Sequence, residues 1–172
     1  MRFLACVIVI AISLVLGACA KQPAQKPDPA SREAIGVVQF ADNWSLNFEQ
    51  KHFRRTEDGS IVFWRPGFTM WIAVWPLQAA ETTESCYGDV KEGISPKAFD
   101  LTEEVEGSVL KCAYRLDEES DDRRLPGFYC YAVGPTDYVQ MAIYFDEPRD
   151  LEVAKEIWRS VALSTPSPPK AN

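Results

Sequence analysis

The chain has 172 residues, a formal net charge of −7, 47% hydrophobic and 12% aromatic residues. That length can bury the core of one domain. The acidic balance argues against nucleic acid or an anionic surface as its partner.

The chain opens MRFLACVIVIAISLVLGACA. Arg2 is a short positive start, Phe3 to Val15 are apolar except for Ser13, and Gly17, Ala18 and Cys19 follow. This is the pattern of a secretory leader, and it is shorter than the roughly 20 apolar residues that a spanning helix needs. Leu16-Gly17-Ala18-Cys19 resembles the lipobox of bacterial lipoproteins. The resemblance covers only the leader. It implies cleavage before Cys19, a diacylglycerol on the Cys19 thiol and a further acyl chain on its amine. Each buried methylene of those chains would add about 0.8 kcal/mol to membrane anchoring. In the sorting pattern of such lipoproteins, Ala20 in place of Asp implies the periplasmic side of the outer membrane in a Gram-negative cell. Cys6 would be lost with the leader. So would Arg2, which leaves the mature form one charge more negative, at −8.

Residues 19–32 alternate Pro23, Pro27 and Pro29 with polar residues, the composition of a solvated tether. The tail, 164–172, has the same composition and is expected to be disordered. Between them lies one expected domain, 33–163. In NWSLNFEQKHFRR, Trp44, Leu46 and Phe48 alternate with polar residues, predicting a strand with one buried face. TEDG is a turn, SIVFWR a second strand, Pro66-Gly67 a type II turn and FTMWIAVW a third strand. Periodicity fades from 77 to 106, apart from a short helical turn with Ser95 as cap and Pro96 as first residue. Strands resume with SVLKCAYRL, FYCYAV and YVQMAIYF. DEPRDLEVAKEIWRSVAL is the clearest helix, with Leu151, Ala154, Ile157, Trp158, Val161 and Ala162 in one stripe.

The short connections imply antiparallel pairing. The expected architecture is α+β: a single antiparallel sheet of about six strands with a long C-terminal helix on one face. This order of elements resembles the PsbP-type sandwich of some bacterial lipoproteins, in which helices cover an antiparallel sheet. No motif carries that likeness, so no functional residue transfers from it.

Three cysteines besides Cys19 would remain in an exported chain, where disulfides can form: Cys86, Cys112 and Cys130. Cys112 and Cys130 lie symmetrically about residue 121, within the acidic stretch DEESDDRR. If that stretch closes a hairpin, the two face each other and form the expected bridge. A bridge from Cys86 to one of them is the alternative. No C-x-x-C is present, so a zinc or redox motif has no support. Asp117, Glu118, Asp121 and Asp122 lack calcium-loop spacing and read as a solvated loop.

In FTMWIAVW, Phe68, Met70, Ile72 and Val74 share one face, and Thr69, Trp71, Ala73 and Trp75 share the other. Both faces are apolar, which predicts a central strand. The long helix would cover one face. The other must meet the 77–106 segment, a helix around Arg32 to Ile35, or a ligand. Trp71 and Trp75, with Trp64 at the neighbouring strand end, are therefore either a second small core or a binding face. Indoles suit a sugar ring or a partner's apolar surface.

His52 is the single histidine and is expected to face solvent at a strand edge. It has no G-x-S-x-G elbow to serve. Carboxylates such as Glu49, Glu57 and Asp58 could pair as a glycosidase acid and base, but any acidic chain offers such pairs. No phosphate loop or dinucleotide fingerprint occurs, and no cofactor or metal is implied. The expected function is that of a membrane-anchored envelope lipoprotein acting without catalysis through a protein partner, in an accessory, assembly or immunity-type role. Two alternatives stand beside it: a glycan or small-ligand binding module using the Trp-rich face, and a hydrolase without a recognisable motif.

Overall fold

The computed structural model describes residues 31–118 and 125–163. The leader with Cys19, most of the tether, the centre of the acidic stretch and the tail lie outside the described residues. Nine strands and two helices follow in chain order: β1 (Arg32–Ala41), β2 (Trp44–Glu57), β3 (Ser60–Arg65), β4 (Phe68–Pro76), α1 (Thr83–Glu92), β5 (Phe99–Glu106), β6 (Val109–Leu116), β7 (Gly127–Val133), β8 (Asp137–Phe145), α2 (Asp150–Arg159) and β9 (Ala162–Leu163). They form one antiparallel sheet in the order β1-β2-β3-β4-β8-β7-β6-β5, with β9 paired to β2.

The three-stranded meander follows its turn chemistry. Asp58 and Gly59 both have positive φ, 49° and 81°, as a two-residue hairpin loop with right-handed twist requires. Gly67, at φ 77°, takes the left-handed corner after Pro66. The sheet nevertheless has nine strands where about six were expected. Arg32 to Ile35, considered as a helix, is the start of β1, paired with the far half of β2. The 77–106 stretch holds both α1 and β5. Thr82 and Ser85 form a reciprocal capping box that starts α1: the Thr82 hydroxyl accepts from the Ser85 amide at 3.2 Å, and Ser85 Oγ accepts from the Thr82 amide at 2.9 Å. Ser95 does fix a turn, since its hydroxyl and carbonyl accept from the amides of Lys97 and Ala98.

The C-terminal helix is also shorter than the sequence pattern. It spans ten residues, and its expected continuation, Ala162–Leu163, is strand β9, paired with Trp44 and Ser45. Ser160 makes the break, accepting from the Asn47 amide at 2.9 Å and donating to the Ile157 carbonyl at 2.7 Å.

One face of the sheet carries the core: Trp44, Leu46 and Phe48 from β2, Phe63 from β3, Phe68, Met70 and Ile72 from β4, Phe128 and Cys130 from β7, and Val139, Met141, Ile143 and Phe145 from β8. Of the two helices, α2 packs into it, through Ala154, Ile157 and Trp158. A ten-residue helix is about 15 Å long and 10–12 Å wide. Eight strands laid side by side span over 30 Å at about 4.8 Å each. One helix can keep that many strands dry only if the sheet curls around it. The bonds of α2 bear this out, since they reach strands far apart in the sheet. Asp150 pairs with Arg65 of β3 at 2.8 Å, the Trp158 indole donates to the Tyr131 carbonyl of β7 at 3.4 Å, and Arg159 pairs with Glu104 of β5 at 3.0 Å. Buried Lys111 of β6 donates to the Arg159 carbonyl at 2.9 Å and pairs with Glu106, placing a cation at the negative end of the helix dipole.

Trp158 is fully buried and meets Phe128 edge-on at 6.1 Å. Trp158→Ala should cost about 3–5 kcal/mol, read as a fall in the denaturant midpoint at unchanged m. A loss below about 1 kcal/mol would mean that α2 does not organise the core.

Candidate functional site

Strand alternation sends the core residues inward and a second set of side chains to the outer face. In register across β3, β4, β8, β7 and β6, that outer set includes Val62, Trp71, Ala142, Tyr129 and Tyr114, with Ala73, Gln140, Tyr131 and Cys112 in the next row. Trp64, Trp75, Tyr138 and Tyr144 share this face. Five of the six tyrosines in the chain therefore stand on one surface.

The rings lean on one another. Tyr114 stacks on Tyr129 at 5.5 Å between centroids and on Tyr131 at 6.4 Å. Tyr129 meets Tyr144 edge-on, with their hydroxyls 2.9 Å apart, and its hydroxyl also bonds Glu118. The Gln140 amide donates to the Tyr131 hydroxyl at 3.4 Å. Trp64 packs against Phe53 at 5.2 Å, under the Arg55 guanidinium at 5.8 Å. Gly127 fits closely here, because a Cβ would lie 3.0 Å from the Tyr129 ring and the ring would have to give way by a few tenths of an ångström. Burial among these rings raises the pKa of Tyr114, Tyr129 and Tyr131, so their hydroxyls stay protonated and offer donors at any physiological pH.

Helix α1 covers only one end of this face, over β6 and β7, and Thr83 ties its start to the β7–β8 turn through the Gly134 carbonyl at 3.1 Å. Between α1 and the end of β4 runs an open groove lined by Trp75, Pro76, Gln78, Glu81, Cys86, Asp89, Val90 and Tyr138. Trp75 is 44% exposed beside it, and Cys86 is buried in it.

The structure thus separates the three candidate tryptophans. Trp64 is buried under Phe53 and Arg55, Trp71 is half-buried and Trp75 is exposed, and none belongs to the main core. Among the described residues, the 77–106 segment that would have made them a second core does not cover most of the face. Its residues form an edge strand and a helix at the far end. The tyrosines of β7 and β8 were not singled out from the sequence, although YCY and YVQMAIY carry the same two-faced alternation as FTMWIAVW.

The expected Cys112–Cys130 bridge does not form. Cys112 lies opposite Tyr131 and Cys130 opposite Ala113, so the two thiols point to opposite faces of the sheet. Joining them would need a one-residue slip that turns β7 inside out. All three cysteines of the described residues are free. Burial, aided by Glu81, pushes the Cys86 thiol up to about 11; burial, aided by Glu103, pushes Cys112 to about 12, so both are neutral thiols. Among the described residues no cluster of three or more His, Cys, Asp or Glu could hold a metal.

His52 is not at a solvent edge but 1% exposed on the core face, stacked on Phe48 at 4.4 Å and edge-on to Phe68 at 5.4 Å. It points inward because it lies an even number of residues along β2 from Trp44, Leu46 and Phe48, and so shares their face. Burial holds its pKa below 6.5 and the Arg65 charge adds to this, while the Gln50 carbonyl, 2.8 Å from Nδ1, and Asp150 oppose it. Of the candidate hydrolytic carboxylates, Glu49 lines a small cavity together with His52, but Glu57 pairs with Arg55 and Asp58 sits in the β2–β3 turn, so the three do not gather at one site.

The chain matches no protein-family model and no curated protein.

Two outcomes follow. Trp75→Ala should leave stability within about 1 kcal/mol of wild type, while Phe68→Ala on the inner face costs about 3–5 kcal/mol, both read from denaturant midpoints. Equal losses would return Trp75 to the core. For His52, the unfolded chain takes up a proton near pH 6.5 and the folded chain only at lower pH, so this group removes stability as pH falls through and below 6.5. His52→Phe should therefore flatten the decline in midpoint between about pH 7 and 5 relative to wild type. Parallel declines in the two proteins would rule out a neutral, buried His52.

Proposed function

We propose that this protein is a lipid-anchored envelope protein that acts without catalysis, by docking a partner protein on the aromatic outer face of its sheet. The observation that carries this reading is the open run of rings from Trp71 and Trp75 to Tyr131 and Tyr144, of which α1 covers only one end. Such rings combine large apolar area with polar tips and lose little rotamer freedom on burial, which is why Tyr and Trp are enriched where proteins meet. The Leu16–Cys19 sequence and the Pro-rich tether support an anchor at Cys19, on the periplasmic side of an outer membrane. Accessory, assembly and immunity-type roles all fit this arrangement.

A glycan is the second reading, favoured by Trp75 and Tyr138 standing beside Glu81, Gln78 and Asp89 in the groove, a ring-and-polar set that could stack on and bond a sugar. Photo-crosslinking in the producing cells separates the two. A benzophenone side chain at position 71 or 131 should yield a discrete protein adduct, and the same group at exposed position 152 on α2 should yield none. The same pattern from all three positions, or none from any, would defeat the docking reading. A shift in tryptophan emission with peptidoglycan fragments, lost in Trp75→Ala, would favour the glycan.

A further inference from the structure

The groove beside Trp75 has a composition that selects for charge. Its lining contains two rings, Trp75 and Tyr138, two carboxylates, Glu81 and Asp89, and no lysine or arginine. It encloses about 480 Å³ of open volume, within the range of sites that hold a side chain or small ligand. The Glu81 carboxylate is held at the rim, where it accepts from the Gln78 backbone amide at 2.7 Å, and no cation among the described residues pairs with it. Asp89 is exposed on α1. The nearest basic residue of α1, Lys91, is turned away to Glu103 at 2.8 Å and to the Tyr87 ring. The negative charge of this corner registers on its neighbours: after burial, Glu81 is the next cause raising Cys86, and it adds to the rise that burial gives Tyr138. A ligand that suits this site has an apolar stem to lie along Pro76 and Val90, and a cationic head to sit between ring faces and carboxylates.

We infer that the groove formed by Trp75, Tyr138, Glu81 and Asp89 receives an arginine or lysine side chain of a basic partner protein. The inference rests on the docking reading above and gives that partner its chemistry. Charge complementarity selects a basic protein over other occupants: the chain carries a formal −7, so a basic surface is drawn to it at long range before the groove captures one side chain. Arginine fits best, because its planar head can stack on Trp75 and bond a carboxylate at the same time.

The test measures binding of a fluorescein-labelled hexa-arginine peptide to the full chain in neutral detergent by anisotropy, at about 150 mM salt, where charges beyond about 8 Å are screened. Glu81→Gln with Asp89→Asn should weaken binding about tenfold or more, and Trp75→Ala by about three- to thirtyfold. Glu49→Gln with Glu147→Gln, the same charge change at exposed positions elsewhere, should leave it within about twofold. If Glu81 proves needed for folding, Asp89→Lys alone, which puts a competing cation in the groove, should abolish binding. Equal weakening by the control pair would reduce the effect to general attraction and overturn the proposal, as would no binding at all. Preferential binding of phosphatidylcholine vesicles through Trp75 would overturn it in favour of a lipid headgroup. The two proposals fail separately. Loss of the groove effect with crosslinks intact at positions 71 and 131 removes only the cation site. Loss of the crosslinks with the groove effect intact removes the docking face.

Discussion

The fold depends on one helix filling a concave sheet. Trp158, Ile157 and Ala154 of α2 provide the helical surface against which β2, β3, β4, β7 and β8 close. The polar bonds around the helix hold it at both ends. Asp150, buried in the first turn, meets Arg65, and the last turn offers the Arg159 carbonyl to Lys111. Burying one partner of such a pair without the other would leave an uncompensated charge in a low-dielectric setting, so these residues fix the seat of the helix more than they add net stability.

Curling around the helix decides what the other face can be. Inner positions are mostly apolar, and the polar ones among them, His52, Arg65 and Lys111, are buried against rings or paired around the helix. Outer positions on a central strand are under no such demand, and a sheet normally gives them polar residues. Here they are tyrosines and tryptophans, crowded enough to shield part of each ring but not covered. Ring packing at 5.5 to 6.4 Å between tyrosines also stiffens the surface, so a partner would meet side chains already held in place. The groove at its end adds two carboxylates, Glu81 and Asp89, to this face.

Much of the inner architecture was legible in the sequence, because strict alternation in β2, β4 and β8 and the stripe of α2 are strong signals. Three things were not. Strand β5 is an acidic edge with Leu101 and Val105 facing solvent, so it lacks the apolar period that marks a half-buried strand. Helix α1 is nearly all polar and contains Gly88; its signal was the Thr82–Ser85 capping box, not periodicity. The orientation of Cys112 and Cys130 turned on pairing register, and symmetry about a loop centre does not fix register. The candidate site was half visible. The two-faced FTMWIAVW marked Trp71 and Trp75, but their tyrosine neighbours come from strands about 60 residues further along, and only the sheet order brings them together.

The helix that completes the core is also among the last elements in the chain. Eight strands and α1 precede it, and β9, which closes against Trp44, comes after. Until residues 150 to 163 are present, Phe48, Met70, Met141 and Ile143 lack the cover that Ala154, Ile157 and Trp158 give the inner side. In a chain delivered from its N-terminus, the apolar inner positions and two strand edges, β1 and β5, unpaired among the described residues, come before the helix that covers the trough. The interval before the helix drops in is when this protein is most exposed to aggregation and proteolysis. The acids along β5 and the irregular pairing at Gly36 in β1 discourage pairing at both edges during that time.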